Sequence, residues 1–224
     1  MIKAVLFDIG GTLIAEVTKR EIYEIYDMIL RGHGVNRSRK AIALAHRRME
    51  RKYLEDERVV FDNFWVRFNT DFLQDLGVDG NVAELAEAID REWWSHAKTE
   101  LCPDVLPVLS ALKARGLKLG IITNGLESDI KRIFQKVGFP ELFDIKVGAD
   151  TFQCAKPNPT IFQFTLKKLG VNPSEALFVG DSENADYEGA RKAGLKALLV
   201  ERRQKLGGNN AGKISNLQEL FQHL

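Results

Sequence analysis

The chain is poor in the features that staple, anchor or charge a protein. It has two cysteines in 224 residues, Cys102 and Cys154. They form neither a disulfide framework nor a metal-ligand spacing, so two free thiols in a reducing compartment are expected, with one disulfide as the alternative. Four histidines, His33, His46, His96 and His223, share no ligand spacing with one another or with the cysteines, which leaves surface or internally satisfied positions for them. No apolar run approaches the roughly 20 residues that span a bilayer. Met1 leads straight into an apolar run, leaving no room for a secretory signal. Charge of either sign is not in surplus. Lys and Arg number 32 against 31 Asp and Glu, a net +1, too little for a field favouring nucleic acid or acidic membrane. Charged residues at 28% are too small an excess to argue for heat adaptation. These absences predict a soluble, cytoplasmic protein with no nucleic-acid and no membrane partner. Its length fits one large domain or a domain carrying an insertion.

What is present begins with Met1-Ile2-Lys3-Ala4-Val5-Leu6-Phe7-Asp8-Ile9-Gly10-Gly11-Thr12. The apolar run predicts a buried strand, which Gly10-Gly11 stops abruptly. Asp8 then lies at the strand's carboxyl end, the edge where open α/β sheets bind ligands. Taken alone, the stretch is equally an Asp in an ordinary glycine turn.

From Glu16 to about Ala97 four helical stripes follow without a strand: Ile22, Tyr26, Ile29 and Leu30; Ile42, Ala45, Met49 and Tyr53; Phe61, Phe64, Trp65, Phe68 and Phe72; Val82, Leu85, Ala86, Ile89 and Trp93. They predict a small helical bundle inserted after the first strand. The aromatic stripe is expected to be core. The second helix carries Arg47, Arg48, Arg51 and Lys52 beside Glu50, Glu55, Asp56 and Glu57, which favours a solvated face over a nucleic-acid patch. An exposed part of the aromatic helix is a candidate dimer contact, so a monomer or a homodimer is expected.

After Pro103, strands and helices alternate, predicting βαβ units and a parallel sheet covered on both faces. Asp104 is expected to cap a helix ending at Gly116, and Ser215 with Gln218 to open the last helix as a capping box. The fold class is thus α/β, a Rossmann-like parallel sheet with an inserted helical cap. Residues 1–15 and 99–224 make the core, and residues 16–98 the cap.

Three strands end in polar, glycine-bearing turns: Asp8 to Thr12, Thr123-Asn124-Gly125 and Gly180-Asp181-Ser182, with Lys156-Pro157 heading a helix. Parallel strands share one polarity, so these turns open on one sheet edge. Two crowded carboxylates need a cation between them, and a hard, oxygen-ligated Mg²⁺ meets that need. A hydroxyl, turn amides and an ammonium suit a phosphoryl group.

At these residues the chain resembles the haloacid dehalogenase superfamily, and within it phosphatase-like members with a helical cap after the first strand. Asp8-Ile9-Gly10-Gly11-Thr12 stands where the family has D-x-D-G-T; Thr123-Asn124-Gly125, Lys156-Pro157, and Gly180-Asp181-Ser182 with Asp186 match its later motifs. The resemblance implies a hydrolase acting on a small phosphorylated molecule through an aspartyl-phosphate on Asp8. It implies Mg²⁺ held by Asp8, Asp181 and the Gly10 carbonyl. Phosphate would be bound by Thr12, Thr123, Asn124, Gly125 and Lys156, with Asp186 and Ser182 in support and cap helices excluding water.

One position departs from that pattern. Gly10 replaces the Asp that serves most family phosphatases as acid and base, a function worth about 10²–10⁴-fold in rate. Glu16 as a substitute acid, a leaving group that needs no proton, and a weakly catalytic phosphate-binding or regulatory protein are the three readings that follow. A 2-haloacid dehalogenase-like hydrolase ranks below phosphatase, because Gly10 is not bulky and Asp181 is kept. Cys154 is expected to be a passive loop thiol near the site mouth. Arg202, Arg203 and Lys205 are expected either to line the open edge and attract anions or to belong to a solvated loop.

Overall fold

A computed structural model describes residues 1–53, 63–202 and 212–224. Glu55, Asp56, Glu57, Phe61, Arg203 and Lys205 lie outside the described residues. In chain order the elements are β1 (Ala4–Phe7), α1 (Lys19–Gly32), α2 (Arg39–Tyr53), α3 (Phe64–Asp75), α4 (Val82–His96), α5 (Val105–Ala114), β2 (Lys118–Ile122), α6 (Glu127–Val137), β3 (Ile145–Val147), α7 (Pro159–Leu169), β4 (Ala176–Gly180), α8 (Gly189–Lys192), β5 (Lys196–Val200) and β6 (Lys213–Ile214). They fall into two compact units, Met1–Glu16 with Glu100–Leu224, and Val17–Thr99.

The first unit is built on a six-stranded sheet in the order β3-β2-β1-β4-β5-β6, and every pairing is parallel. With helical segments on its connections, this is an α/β fold, and the helical insertion falls between β1 and β2. Every residue of β1 and β4 is buried, as expected of strands covered on both faces. The strand order reverses beside β1, with β2 and β3 laid down to one side and β4, β5 and β6 to the other, the switch point where an α/β sheet opens a crevice. Leu6, Phe162, Phe178, Leu166 and Ala190 belong to one buried apolar cluster under it.

Asp104 does sit at the head of α5, yet makes no side-chain cap. Its carboxylate instead accepts from Arg202 Nη1 at 3.0 and 3.2 Å and from the Leu217 amide at 2.6 Å. The last segment, Leu217–His223, is a 3₁₀ helix capped by Asn216, whose Oδ1 accepts from the Gln218 amide. Ser215 turns its hydroxyl to Glu219 at 2.5 Å, so the expected Ser215–Gln218 box is corrected to an Asn216 cap. β6, two residues long, carries too little pattern to have been foreseen.

The second unit packs α1 to α4. Thr18 opens α1 with a capping box, accepting from the Glu21 amide at 3.3 Å while Glu21 accepts from the Thr18 amide at 2.8 Å. Phe68, Phe72 and Leu73 of α3 are fully buried. Tyr26 lies 4.5 Å from Phe72 between ring centroids and donates its hydroxyl to buried Asn69 at 2.9 Å. On the arginine-rich α2, Arg48 pairs with Asp75 at 2.5 Å and Lys52 with Asp71, so both charges are spent on α3. His46 is buried among Tyr23, Tyr26 and Phe68, and burial lowers its pKa. His33 pairs with Glu92 at 3.1 Å, while His96 and His223 are exposed. No helix of the described residues is long and apolar enough to cross a membrane.

Candidate active site

Phe7 of β1 is in register with Ile121 of β2 and Val179 of β4. The residues just past these strand ends, Asp8, Thr123 and Asp181, therefore converge on one edge, because the register leaves each chain at the same height. The Asp8 amide donates to Val179 O at 3.0 Å and the Thr123 amide to Val147 O at 3.0 Å, fixing where each turn begins.

Lys156 reaches this edge from the head of α7. Its backbone is gripped by Asn124, whose Nδ2 donates to Lys156 O at 2.9 Å while its Oδ1 accepts from Lys156 N at 2.8 Å. The buried ammonium donates to Asp8 Oδ1 at 2.7 Å and to Asp186 Oδ1 at 2.6 Å. Asp186 is held in turn by the Ser182 amide at 3.0 Å, and Ser182 Oγ caps the following π-helical turn through the Ala185 amide. The glycine of Gly180-Asp181-Ser182 has a steric reason: a Cβ on Gly180 would lie 2.3 Å from the Asp186 carboxyl carbon.

Gly11 adopts φ +67°, and a Cβ there would fall 2.1 Å from Asp181 Oδ2, so the turn packs on that carboxylate only as glycine. Gly10 differs. It lies outside the left-handed region and nothing stands within 4 Å of a Cβ built on it.

Oxygens of Asp8, Asp181 and Asp186 lie within 4.8 Å of one another. Burial pushes the Asp8 carboxyl up to about 7 against the pull of Lys156, and Asp186 and Asp181 add to the rise. Partial burial and the charges of Asp186 and Glu16 raise the solvent-facing Asp181 to about 6, with Lys156 opposing. Burial alone would lower the Lys156 pKa, but Asp186 and Asp8 outweigh it and raise the ammonium above its usual range. One lysine for three carboxylates leaves the cluster short of positive charge. Hard oxygen donors so crowded suit a divalent cation such as Mg²⁺.

The other expected site residues take varied places. Thr123 Oγ1 accepts from the Gly125 amide at 3.2 Å, folding the Thr123-Asn124-Gly125 turn. Asn124 spends its side chain on the Lys156 backbone, a grip that sequence spacing does not reveal. Thr12 is fully buried with an unpartnered hydroxyl, and its carbonyl accepts from Arg202 Nε at 3.0 Å and Nη2 at 2.6 Å. Arg202 therefore neither lines an open edge for anions nor lies in solvent; it is an internal tie. Cys154 packs against the core cluster, and burial raises the pKa of both Cys154 and Cys102, which makes them poor nucleophiles.

The family model for haloacid dehalogenase-like hydrolases matches residues 2–194. The chain is 31% identical over 207 residues to a glyceraldehyde 3-phosphate phosphatase of Methanopyrus kandleri, covering 90% of this chain and 85% of that protein. A HAD phosphatase of Thermococcus onnurineus superposes with a TM-score of 0.70 at 28% identity, covering 99% of this chain and 97% of that one. A 2-haloacid dehalogenase of Pseudomonas syringae pv. Tomato superposes with 0.74 at 24% identity, covering 99% and 97%, and so shares the fold. With its family model spanning nearly the whole chain, the protein belongs to the haloacid dehalogenase-like hydrolases.

Proposed function

We propose that the protein is a Mg²⁺-dependent phosphatase of small phosphorylated molecules, with Asp8 as nucleophile. The observation that carries this reading is the Lys156 ammonium fixed between Asp8 and Asp186 beside Asp181. Lys156 holds Asp8 Oδ1 and so orients Oδ2 for in-line attack on phosphorus. The bond to the leaving oxygen breaks as the aspartyl–phosphorus bond forms, and water then cleaves the acyl phosphate, releasing phosphate and restoring the carboxylate. Asp8, Asp181 and the Gly10 carbonyl would hold the Mg²⁺, which when bound supplies charge to the phosphoryl oxygens. Thr123 and the turn amides would bind those oxygens, and Asp186 keeps the lysine in place. The name of the Methanopyrus relative supports a small phosphate ester as the substrate class.

Gly10 brings no acid to the leaving oxygen, so leaving groups that depart without a proton are favoured, such as phenolates or the carboxylates released from acyl phosphates. The same glycine is the one feature that favours the weaker reading of a phosphate-binding protein with residual turnover. Turnover of p-nitrophenyl phosphate with Mg²⁺ and with EDTA, beside Asp8→Asn and Gly10→Asp, tests both. Metal-dependent turnover lost in Asp8→Asn is expected, with a gain in Gly10→Asp on alkyl phosphates. Turnover indifferent to Asp8→Asn would sink the phosphatase reading.

A further inference from the structure

The turn from Asp8 to Thr12 contains two consecutive glycines, the most freely moving backbone a chain can place after a reacting carboxylate. Its front end is fixed by the Asp8 amide on Val179 O, and its middle is wound on one acceptor, Ile9 O, which takes the Thr12, Leu13 and Ile14 amides at 3.3, 2.8 and 3.0 Å. Its rear end is fixed from far along the chain. Arg202, 190 residues away, aims two donors at the Thr12 carbonyl and a third nitrogen at Asp104. Both side chains are mostly buried, at 18% and 10% exposure. Asp104 also takes the Leu217 amide, so the guanidinium joins the turn to the head of α5 and to the C-terminal segment. Two guanidinium nitrogens converge on the one Thr12 carbonyl oxygen, and hydrogen bonds from an ionised donor are the stronger ones.

We propose that Arg202 is a positioning residue for Asp8: by clamping the Thr12 carbonyl it fixes the rear of a double-glycine turn and so fixes where the Asp8 carboxylate points. The catalytic part of this rests on Asp8 being the nucleophile. Arg202 touches no reacting atom. Its effect passes through the turn, and it stands in for stiffness that Gly10 does not supply.

The test compares wild type, Arg202→Gln, Arg202→Lys and Asp104→Asn. For each, kcat and KM on p-nitrophenyl phosphate with Mg²⁺, thermal midpoint, and amide hydrogen exchange of the peptide covering residues 9–14 are measured. Misplacing a reacting group by about 1 Å costs on the order of 10²-fold. Arg202→Gln is therefore expected to lower kcat about 10–50-fold with KM within about threefold, and to speed exchange in that peptide at least about tenfold. Asp104→Asn keeps the Arg202–Thr12 contact; it is expected to lower the midpoint comparably, with kcat reduced less than about threefold. Arg202→Lys, which keeps one donor for the Thr12 carbonyl, is expected between the two, and carries the comparison should Arg202→Gln fail to fold. Equal losses of kcat in Arg202→Gln and Asp104→Asn, or unchanged exchange, would overturn the positioning role. Absence of wild-type turnover together with faster exchange in Arg202→Gln would refute the phosphatase reading and leave the clamp standing.

Discussion

Lys156 is the residue on which the charge of the site turns. Its ammonium is buried between two carboxylates 2.7 and 2.6 Å away, and removing one member of a buried ionic group leaves its partners uncompensated at about 3–5 kcal/mol. Lys156→Met is therefore expected to abolish turnover and to lower the metal-free unfolding free energy by about that amount near neutral pH, read by urea titration in EDTA. Asp8 gives the matching pH prediction. Its folded pKa, raised from 3.8 to about 7, means that between those values the folded chain holds a proton the unfolded chain has released. The associated stability is intact at acid pH and is lost as pH rises through about 7, by up to about 1.4 kcal/mol per pH unit. Asp8→Asn removes that loss. In EDTA the melting temperature of Asp8→Asn should match wild type near pH 4, exceed it increasingly up to about pH 7 and hold that lead above; a gap that shrinks as pH rises from 4 to 7 would refute the assignment. At this scale the sequence was readable where a side chain sits in a turn next to its own strand, as with Asp8 and Asp181. It was silent where the partner is distant: Arg202 and Thr12 are 190 residues apart, and Asp104 and Leu217 are 113 apart.

At the scale of elements, the glycines of the motif turns do unlike things. Gly180 makes room for Asp186, whereas Gly10 faces open space. Gly180→Ala forces the Asp186 carboxyl aside, an overpacking worth about 1–3 kcal/mol. Gly10→Ala should leave thermal stability unchanged or slightly raised, because it only restricts the unfolded chain. Chemical denaturation of the two variants side by side checks the contrast, and equal destabilisation would contradict it. The apolar run of β1 was legible because it rests on a local rule, continuous burial for a parallel strand; left-handed Gly138 and Gly170 close α6 and α7 by an equally local one. The segment after Asp181 begins as a π-helical turn, Glu183–Glu188, whose one buried residue is Asp186. The wider turn goes with a carboxylate folded back onto Gly180, and apolar periodicity carries no sign of that.

For the whole molecule, the aromatic stripe of α3 is the core of its unit, as its spacing suggested, with Phe68 and Phe72 fully buried. Phe72→Ala empties the space beside Tyr26 and is expected to cost about 3–5 kcal/mol, seen as a lowered melting temperature; a change below about 1 kcal/mol would mean that this unit packs elsewhere. Sheet order was only partly legible, since alternation of strands and helices gives parallel pairing but not which strand lies beside which. That β1 is flanked by β2 and β4 is what gathers residues from opposite ends of the chain at one edge. The open space at Gly10 has a consequence on the scale of lineages. Two of the four glycine codons become aspartate codons by a single base change, and this position meets no steric barrier at Cβ. Where Gly10 is encoded by one of those two codons, a mutagenised population fed an alkyl phosphate as its sole phosphorus source has a one-step route to a carboxylate here. Where such a route lies open and glycine stands, the reaction the protein serves, rather than its architecture, sets the residue.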